Sequence, residues 1–288
     1  MGRLASFIIM PGLWGLLFLV IGWLGFQIKP RPFPAQSRVH NLGTVNLPPD
    51  LPEPVRRYYL TAFGPHIPRV ESLVVWARAR IRRGLWMSLR SWVAHVPGYD
   101  FRRYMEVTWF GLPVLKVIDE YVKGKGMTKV GRQEATSPYI DQAASLILWA
   151  EAAAMPSLLI SDPRAHWEAV DASSARLIVP FEEQEDVITV RFDSQTGLIS
   201  RMEAMRNKNG PEKVLWLVDF LSWGRFHNAL LPTRISITWA DENKPWSYWD
   251  WEAFEWNVDI TNYIPEAQSP AFADEPLPMN AVSGVQKG

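Results

Sequence analysis

From Val70 onward apolar residues return at every second position, and no other feature restricts the fold of this chain as much. Between residues 70 and 84, Leu73, Val75, Ala77, Ala79 and Ile81 share one face of an extended backbone; Val74, Trp76, Arg78, Arg80 and Arg82 share the other. The same alternation marks candidate strands at 85–96, 101–110, 114–122, 125–131, 166–172, 175–182, 186–193, 198–206, 214–223, 233–239 and 246–260. Turn chemistry separates them, as in Pro97-Gly98, Gly111-Leu112-Pro113, Lys123-Gly124 and the run from Asp193 to Gly197. One main helix interrupts the strands. Ser137 suits its N-cap, Pro138 its first turn and Asp141 the positive end of its dipole, and Pro156 stops it. A shorter helix over 54–63 ends at Gly64-Pro65. About a dozen strands without strand–helix–strand alternation specify an α+β fold. So large a sheet must curl. The expectation is a large curved antiparallel sheet, a half-barrel, with a helix packed on its concave side.

The N-terminus adds a separate expectation. Residues 7–26 read FIIMPGLWGLLFLVIGWLGF and carry no charge. As a helix they would be about 30 Å long, the thickness of a bilayer core. A cleaved signal peptide is the rival reading, but it calls for a shorter apolar core and then small residues, whereas this run leads into Gln27-Ile-Lys-Pro-Arg-Pro. The chain therefore divides into a transmembrane anchor (1–27), a Pro-rich linker (28–54) holding the body off the membrane, a half-barrel domain (55–263) and a disordered tail (264–288). Arg3 on one side and Lys29, Arg31 and Arg38 on the other leave the positive-inside rule close to balance.

Several chemistries are excluded. The formal net charge is zero, so no bulk field points to nucleic acid. There is no cysteine, hence no disulfide, thiolate metal site or cysteine nucleophile. The five histidines show no metal-ligand spacing, and no Gly-rich phosphate loop or nucleophile elbow occurs, so neither a metal nor a cofactor is expected.

Three groups of residues remain as ligand-binding candidates. Ile140, Ala144, Ile147, Glu151 and Met155 fall on one helix face, which puts the Glu151 carboxylate on an apolar stripe. It is either an acid or base with a raised pKa, or half of a buried ion pair, for example with Arg206. Arg78, Arg80 and Arg82 share a strand face, and acidic residues gather at Asp241, Glu242, Asp250, Glu252, Glu255 and Asp259. The arginines suit an anionic headgroup, or they pair with those acids across neighbouring strands. Finally, the segment WSYWDWEAFEW (246–256) reads as a strand, with Trp249, Trp251 and Ala253 toward the apolar interior and Trp246, Tyr248, Asp250, Glu252, Phe254 and Trp256 on the other face.

A set of short motifs resembles a known family: Leu51-Pro-Glu-Pro-Val-Arg-Arg-Tyr58, Asp119-Glu-Tyr-Val-Lys-Gly-Lys-Gly126, Glu151 before Pro156, Trp167-Glu-Ala-Val-Asp171, Phe192-Asp-Ser-Gln-Thr-Gly197, Arg206 and Leu231-Pro232. These resemble a bacterial family of membrane-anchored proteins of unknown function, whose domain is similar to the half-barrel of periplasmic lipoprotein carriers. The resemblance implies a curved sheet plugged by helices and a lipidic ligand; it brings no catalytic residues. The functional expectation is a non-catalytic, membrane-anchored protein that binds an apolar or lipid-like ligand, single-pass in the cell membrane with its body extracytoplasmic. The alternatives are an accessory subunit docked on a membrane-protein partner, and an enzyme using Glu151.

Overall fold

The computed structural model describes residues 2–35 and 39–265, with side chains from Trp14 onward. In chain order the elements are α1 (Gly2–Gln27), β1 (Thr44–Asn46), α2 (Glu53–Ala62), β2 (His66–Pro68), β3 (Leu73–Arg83), β4 (Leu85–Val96), β5 (Asp100–Trp109), β6 (Leu112–Val122), β7 (Lys125–Val130) and β8 (Gln133–Thr136). Then come α3 (Pro138–Ala150), a 3₁₀ turn (Glu151–Ala154), α4 (Leu158–Ser161), β9 (His166–Asp171), β10 (Ser174–Phe181), β11 (Gln184–Phe192), β12 (Ile199–Asn207), β13 (Lys213–Phe226), β14 (Ala229–Trp239) and β15 (Lys244–Trp256).

Thirteen strands form one antiparallel sheet in the order β8-β7-β6-β5-β4-β3-β15-β14-β13-β12-β11-β10-β9. Two meanders, β3–β8 and β9–β15, are joined where β15 pairs with β3 at the centre. The edge strands β8 and β9 do not pair with each other, so the sheet is an open half-barrel and not a closed one.

The helix α3 lies in the trough. Its Ser137 cap accepts from the Ile140 amide, and it is apolar almost all round, as a helix enclosed by sheet must be. Consecutive residues tie it to opposite wings. Asp141 Oδ1 accepts from the Gly126 amide on β7 at 2.6 Å. Gln142 Nε2 donates to Asp186 Oδ2 on β11 at 2.9 Å, and its Oε1 accepts from the Asn207 amide at the end of β12. Strands far apart in the sheet order thus meet one helix, which is possible only because the sheet curls around it.

The helix α2 closes one end of the trough. Tyr58 and Tyr59 are fully buried and pack against each other, Phe63, Phe192 and Trp223. Tyr59 Oη donates to Pro156 O at 3.1 Å, and Arg57 lies over Gly197 in the β11–β12 turn. Antiparallel order places the β3–β4, β5–β6, β12–β13 and β14–β15 turns at the opposite end.

Three sequence expectations change. Residues 28–35 do not lead the body away as a spacer. Pro30 O and Arg31 O accept from Arg78 and Arg90, and the Phe33 ring packs on Trp76 and Tyr104 on the convex face. A free proline-rich segment would leave those aromatic faces in water. At the other end Ile264 is 2% exposed and joins Val74, Ala94, Val258 and Ile260 in a small second core; residues 266–288 of the expected tail lie outside the described residues. Last, the alternation in 246–256 changes phase. Trp251 pairs with Ala77 but Ala253 with Trp76, so Glu252 is an extra residue in a β-bulge. Beyond it Phe254 and Trp256 are buried in the same core as Trp251.

Among the described residues no helix is long and apolar enough to cross a membrane. The side chains of residues 7–13, the first part of the expected span, lie outside what the structure describes. The C-terminal end of α1 is docked on the body: Gly22 O accepts from Trp109 Nε1 at 3.0 Å, Gly25 O from the Phe110 amide at 2.8 Å, and Gln27 Nε2 donates to Trp86 O.

Candidate functional site

Between α3 and the concave face of the sheet lies a cavity of about 1140 Å³. Small-molecule sites commonly measure roughly 300–1,000 Å³. The helix contributes Ile140, Ala143, Ala144 and Ile147, and the turn after it Glu151; of the face read from the sequence, Met155 is buried in the core and does not line the cavity. The sheet contributes aliphatic residues from β4, β5 and β6 on one wing and Trp216, Trp239, Trp249 and Trp251 on the other. Gly84, Asn209, Gly210 and Glu242 also line it, so it reaches the end of the trough opposite α2.

Glu151, in the 3₁₀ turn after α3, does not pair with Arg206. Its Oε1 accepts from Arg103 Nη2 on β5, and its Oε2 accepts from His95 Nε2 on β4 at 2.9 Å. The His95 side chain is fully buried and that of Arg103 is 8% exposed. An ionised carboxylate only accepts, so Nε2 carries the proton, and Nδ1 is left buried without a partner among the described residues. Burial would push the Glu151 carboxyl up, but the Arg103 charge and the His95 hydrogen bond together hold it below its ordinary value. Of the two readings the geometry fits the buried ion pair, with Arg103 in the place expected for Arg206. Arg103 also lies 5.3 Å from the centre of the Trp249 ring, which brings Trp249 into the same cluster.

The other expected residues divide. Trp249 and Trp251 are buried and line the cavity, as the alternation implies. Arg206 lines it as well, bound not to a carboxylate but to a backbone carbonyl: its Nε donates to Ala143 O at 3.0 Å. Arg82 reaches the cavity only at the open end, 3.4 Å from Glu242. Arg78 and Arg80 are not in the lining. Arg78 forms a forked pair with Glu252 on the convex face, and Arg80 donates to Gln27 at the end of α1. Cross-strand pairing with the C-terminal acids thus accounts for Arg78 and Arg82, and strand geometry keeps Arg78 and Arg80 away from Arg206.

Sequence reasoning missed Arg103 and His95 as partners of Glu151. A signal for Arg103 existed. Arg102 and Arg103 are adjacent in a strand, so one of them must face inward. Arg102 pairs outside with Glu120 at 3.0 Å. Among the described residues no group of His, Asp and Glu could hold a metal ion.

The chain is similar to several solved structures at low identity. A DUF1329 family protein from Desulfovibrio piger is 14% identical over 67% of this chain and 90% of that one, with a TM-score of 0.40. A putative outer membrane lipoprotein-sorting protein domain from Vibrio parahaemolyticus is 5% identical over 67% and 89%, with a TM-score of 0.39. A LolA superfamily protein from Nitrosomonas europaea is 9% identical over 72% and 93%, with a TM-score of 0.41. No curated protein matches this chain. Residues 43–251 match the family of unknown function DUF6544, and the chain belongs to that family.

Proposed function

We propose that this protein is a non-catalytic binding protein for an apolar, lipid-like ligand held between α3 and the half-barrel. The observation that carries this reading is the cavity itself: about 1140 Å³, with aliphatic side chains and tryptophans forming much of its wall beside a set of charged groups. A core is normally packed to the density of an organic crystal, and an apolar void of this size forfeits dispersion contacts along its whole lining. A hydrocarbon guest restores them.

In the same reading α1 is a single-pass membrane anchor over residues 7–26, and the body is extracytoplasmic. The uncharged run supports the anchor, and the resemblance to periplasmic carriers supports the side. The open end of the cavity lies toward α1: the β5–β6 turn, at that end of the sheet, is the segment on which α1 docks. Near that turn Trp109, Phe110, Leu112 and Val114 are exposed, Leu112 by 69%. An exposed apolar tip beside an apolar helix suits contact with a bilayer surface. A guest could then pass from the lipid layer into the trough without crossing open water.

The test is native mass spectrometry of the full chain, with uptake of an uncharged solvatochromic dye. A co-purifying lipid mass, or dye taken up at one site per chain, is expected. A clean ligand-free species that takes up no dye contradicts the proposal. A reporter fused to the C-terminus tests the side of the membrane.

A further inference from the structure

Five cations line the cavity against four carboxylates: Arg82, Arg83, Arg103, Arg206 and Lys208 against Asp119, Glu120, Glu151 and Glu242. Most are spoken for. Arg103 holds Glu151, Arg82 and Lys208 share Glu242, and Arg83 is exposed to solvent at the rim. Glu120 pairs with Arg102 at 3.0 Å, and Asp119 accepts from Thr128 Oγ1 at 2.8 Å. Arg206 is left over. Among the described residues no carboxylate lies within ion-pair distance of it, and only its Nε has a hydrogen-bond partner.

Its surroundings suit an unoccupied charge. The guanidinium carbon lies 5.0 Å from the centre of the Trp216 ring and 5.4 Å from that of Trp239, two indoles paired across β13 and β14. Their faces attract a cation but offer it no hydrogen bond. Trp216 Nε1 is itself buried without a partner among the described residues. Burial pulls the Arg206 pKa down to about 10, with Asp119 opposing the shift from beyond ion-pair distance. At neutral pH the group is still charged. A half-buried cation that lines a cavity without a paired counter-ion favours an anion beside it.

We propose that Arg206 is the anchor for an anionic head group, and that the ligand of the cavity is an anionic amphiphile: an alkyl chain ending in a carboxylate or phosphate. The inference rests on the apolar-binding reading and adds the chemistry of one end of the guest. Arg206 stands two residues before Lys208, where β12 approaches its turn at the open end. The head would therefore lie toward the mouth, with the chain among the aliphatic residues deeper in the trough.

The test compares palmitate, hexadecyl phosphate and hexadecanol titrated into the full chain at pH 8, followed by tryptophan fluorescence. At least one anionic probe should bind about tenfold or more tightly than hexadecanol, as expected for hydrogen bonds to a charged group. Which of the two binds more tightly identifies the head. Arg206→Gln should weaken the preferred anionic probe about tenfold and so abolish the preference, while Arg206→Lys keeps part of it. Should Arg206→Gln fail to fold, the comparison of probes on the unmodified chain still decides. Equal affinity for hexadecanol and both anionic probes overturns the proposal and leaves apolar binding standing. If none of the three binds, the apolar-binding reading falls, and this inference with it.

Discussion

Arg103 on β5 and Glu151 at the end of α3 form an ion pair inside the half-barrel, with His95 donating to the second carboxylate oxygen at 2.9 Å. The pair joins the helix to the sheet at the deep end of the cavity. Removing one partner leaves the other charge buried, so Glu151→Gln should cost about 3–5 kcal/mol, read from the urea midpoint. Glu151→Met with Arg103→Met should recover much of that loss, because two apolar side chains leave no orphan charge.

The same pair sets an acid limit. The Glu151 carboxyl is held below its ordinary value of 4.5. A depressed carboxylate contributes stability that is fully present above the unfolded-state pKa and is lost as pH falls through the folded-state pKa. Urea midpoints between pH 7 and pH 3 should therefore drop below about pH 4.5. In Glu151→Gln this contribution to the acid limb should be missing; an identical pH profile in both proteins would contradict the assignment.

Filling the cavity should separate binding from folding. Ile147 lines the void from α3 and is partly buried. Ile147→Trp adds volume where there is room for it, so dye uptake should fall about tenfold while the melting temperature stays within a few degrees of the parent. Undiminished uptake in a folded Ile147→Trp variant would show that the void is not the binding site.

Gly126 on β7 carries no side chain because α3 passes over it. A Cβ there would come within 2.6 Å of the Ile140 carbonyl oxygen and 2.8 Å of its carbon. Those are backbone atoms of the helix and cannot swing aside. Gly126→Ala should cost about 1–3 kcal/mol and loosen the Asp141 tie, seen as faster amide exchange along α3.

Asn257 pins the two ends of the domain. It sits at φ 59°, its Oδ1 accepts from the Glu71 amide at 2.7 Å, and its Nδ2 donates to His40 O and Arg69 O. Asn257→Ala loses three hydrogen bonds and puts a Cβ residue without their support in the left-handed region, a loss of about 3 kcal/mol. Asn257→Gly relieves the backbone but not the bonds, and should fall between the parent and the alanine variant in thermal melts.

The limits of sequence reasoning show at individual residues. Glu151 is legible as buried because Ile140, Ala144 and Ile147 share its helix face, but its partner is 48 residues away on another strand. Trp249 and Trp251 are legible as interior by alternation, whereas Phe254 and Trp256 are not, since one bulge at Glu252 inverts the phase. Arg206 is legible in the sequence as a candidate partner for Glu151. Only the fold shows that Glu151 is already engaged by Arg103 and His95.

What the amino-acid order determines by itself is local: period-two strands, the turns between them, a capped helix with one apolar face, and an uncharged N-terminal run. Those arise from sterics and hydrophobic spacing within a few residues. Tertiary structure alone decided how β15 closes onto β3, which arginine meets Glu151, and which cation is left over in the cavity. Each of these depends on the curl of a thirteen-stranded sheet, where small twists between neighbouring strands accumulate until residues far apart in the chain line one cavity.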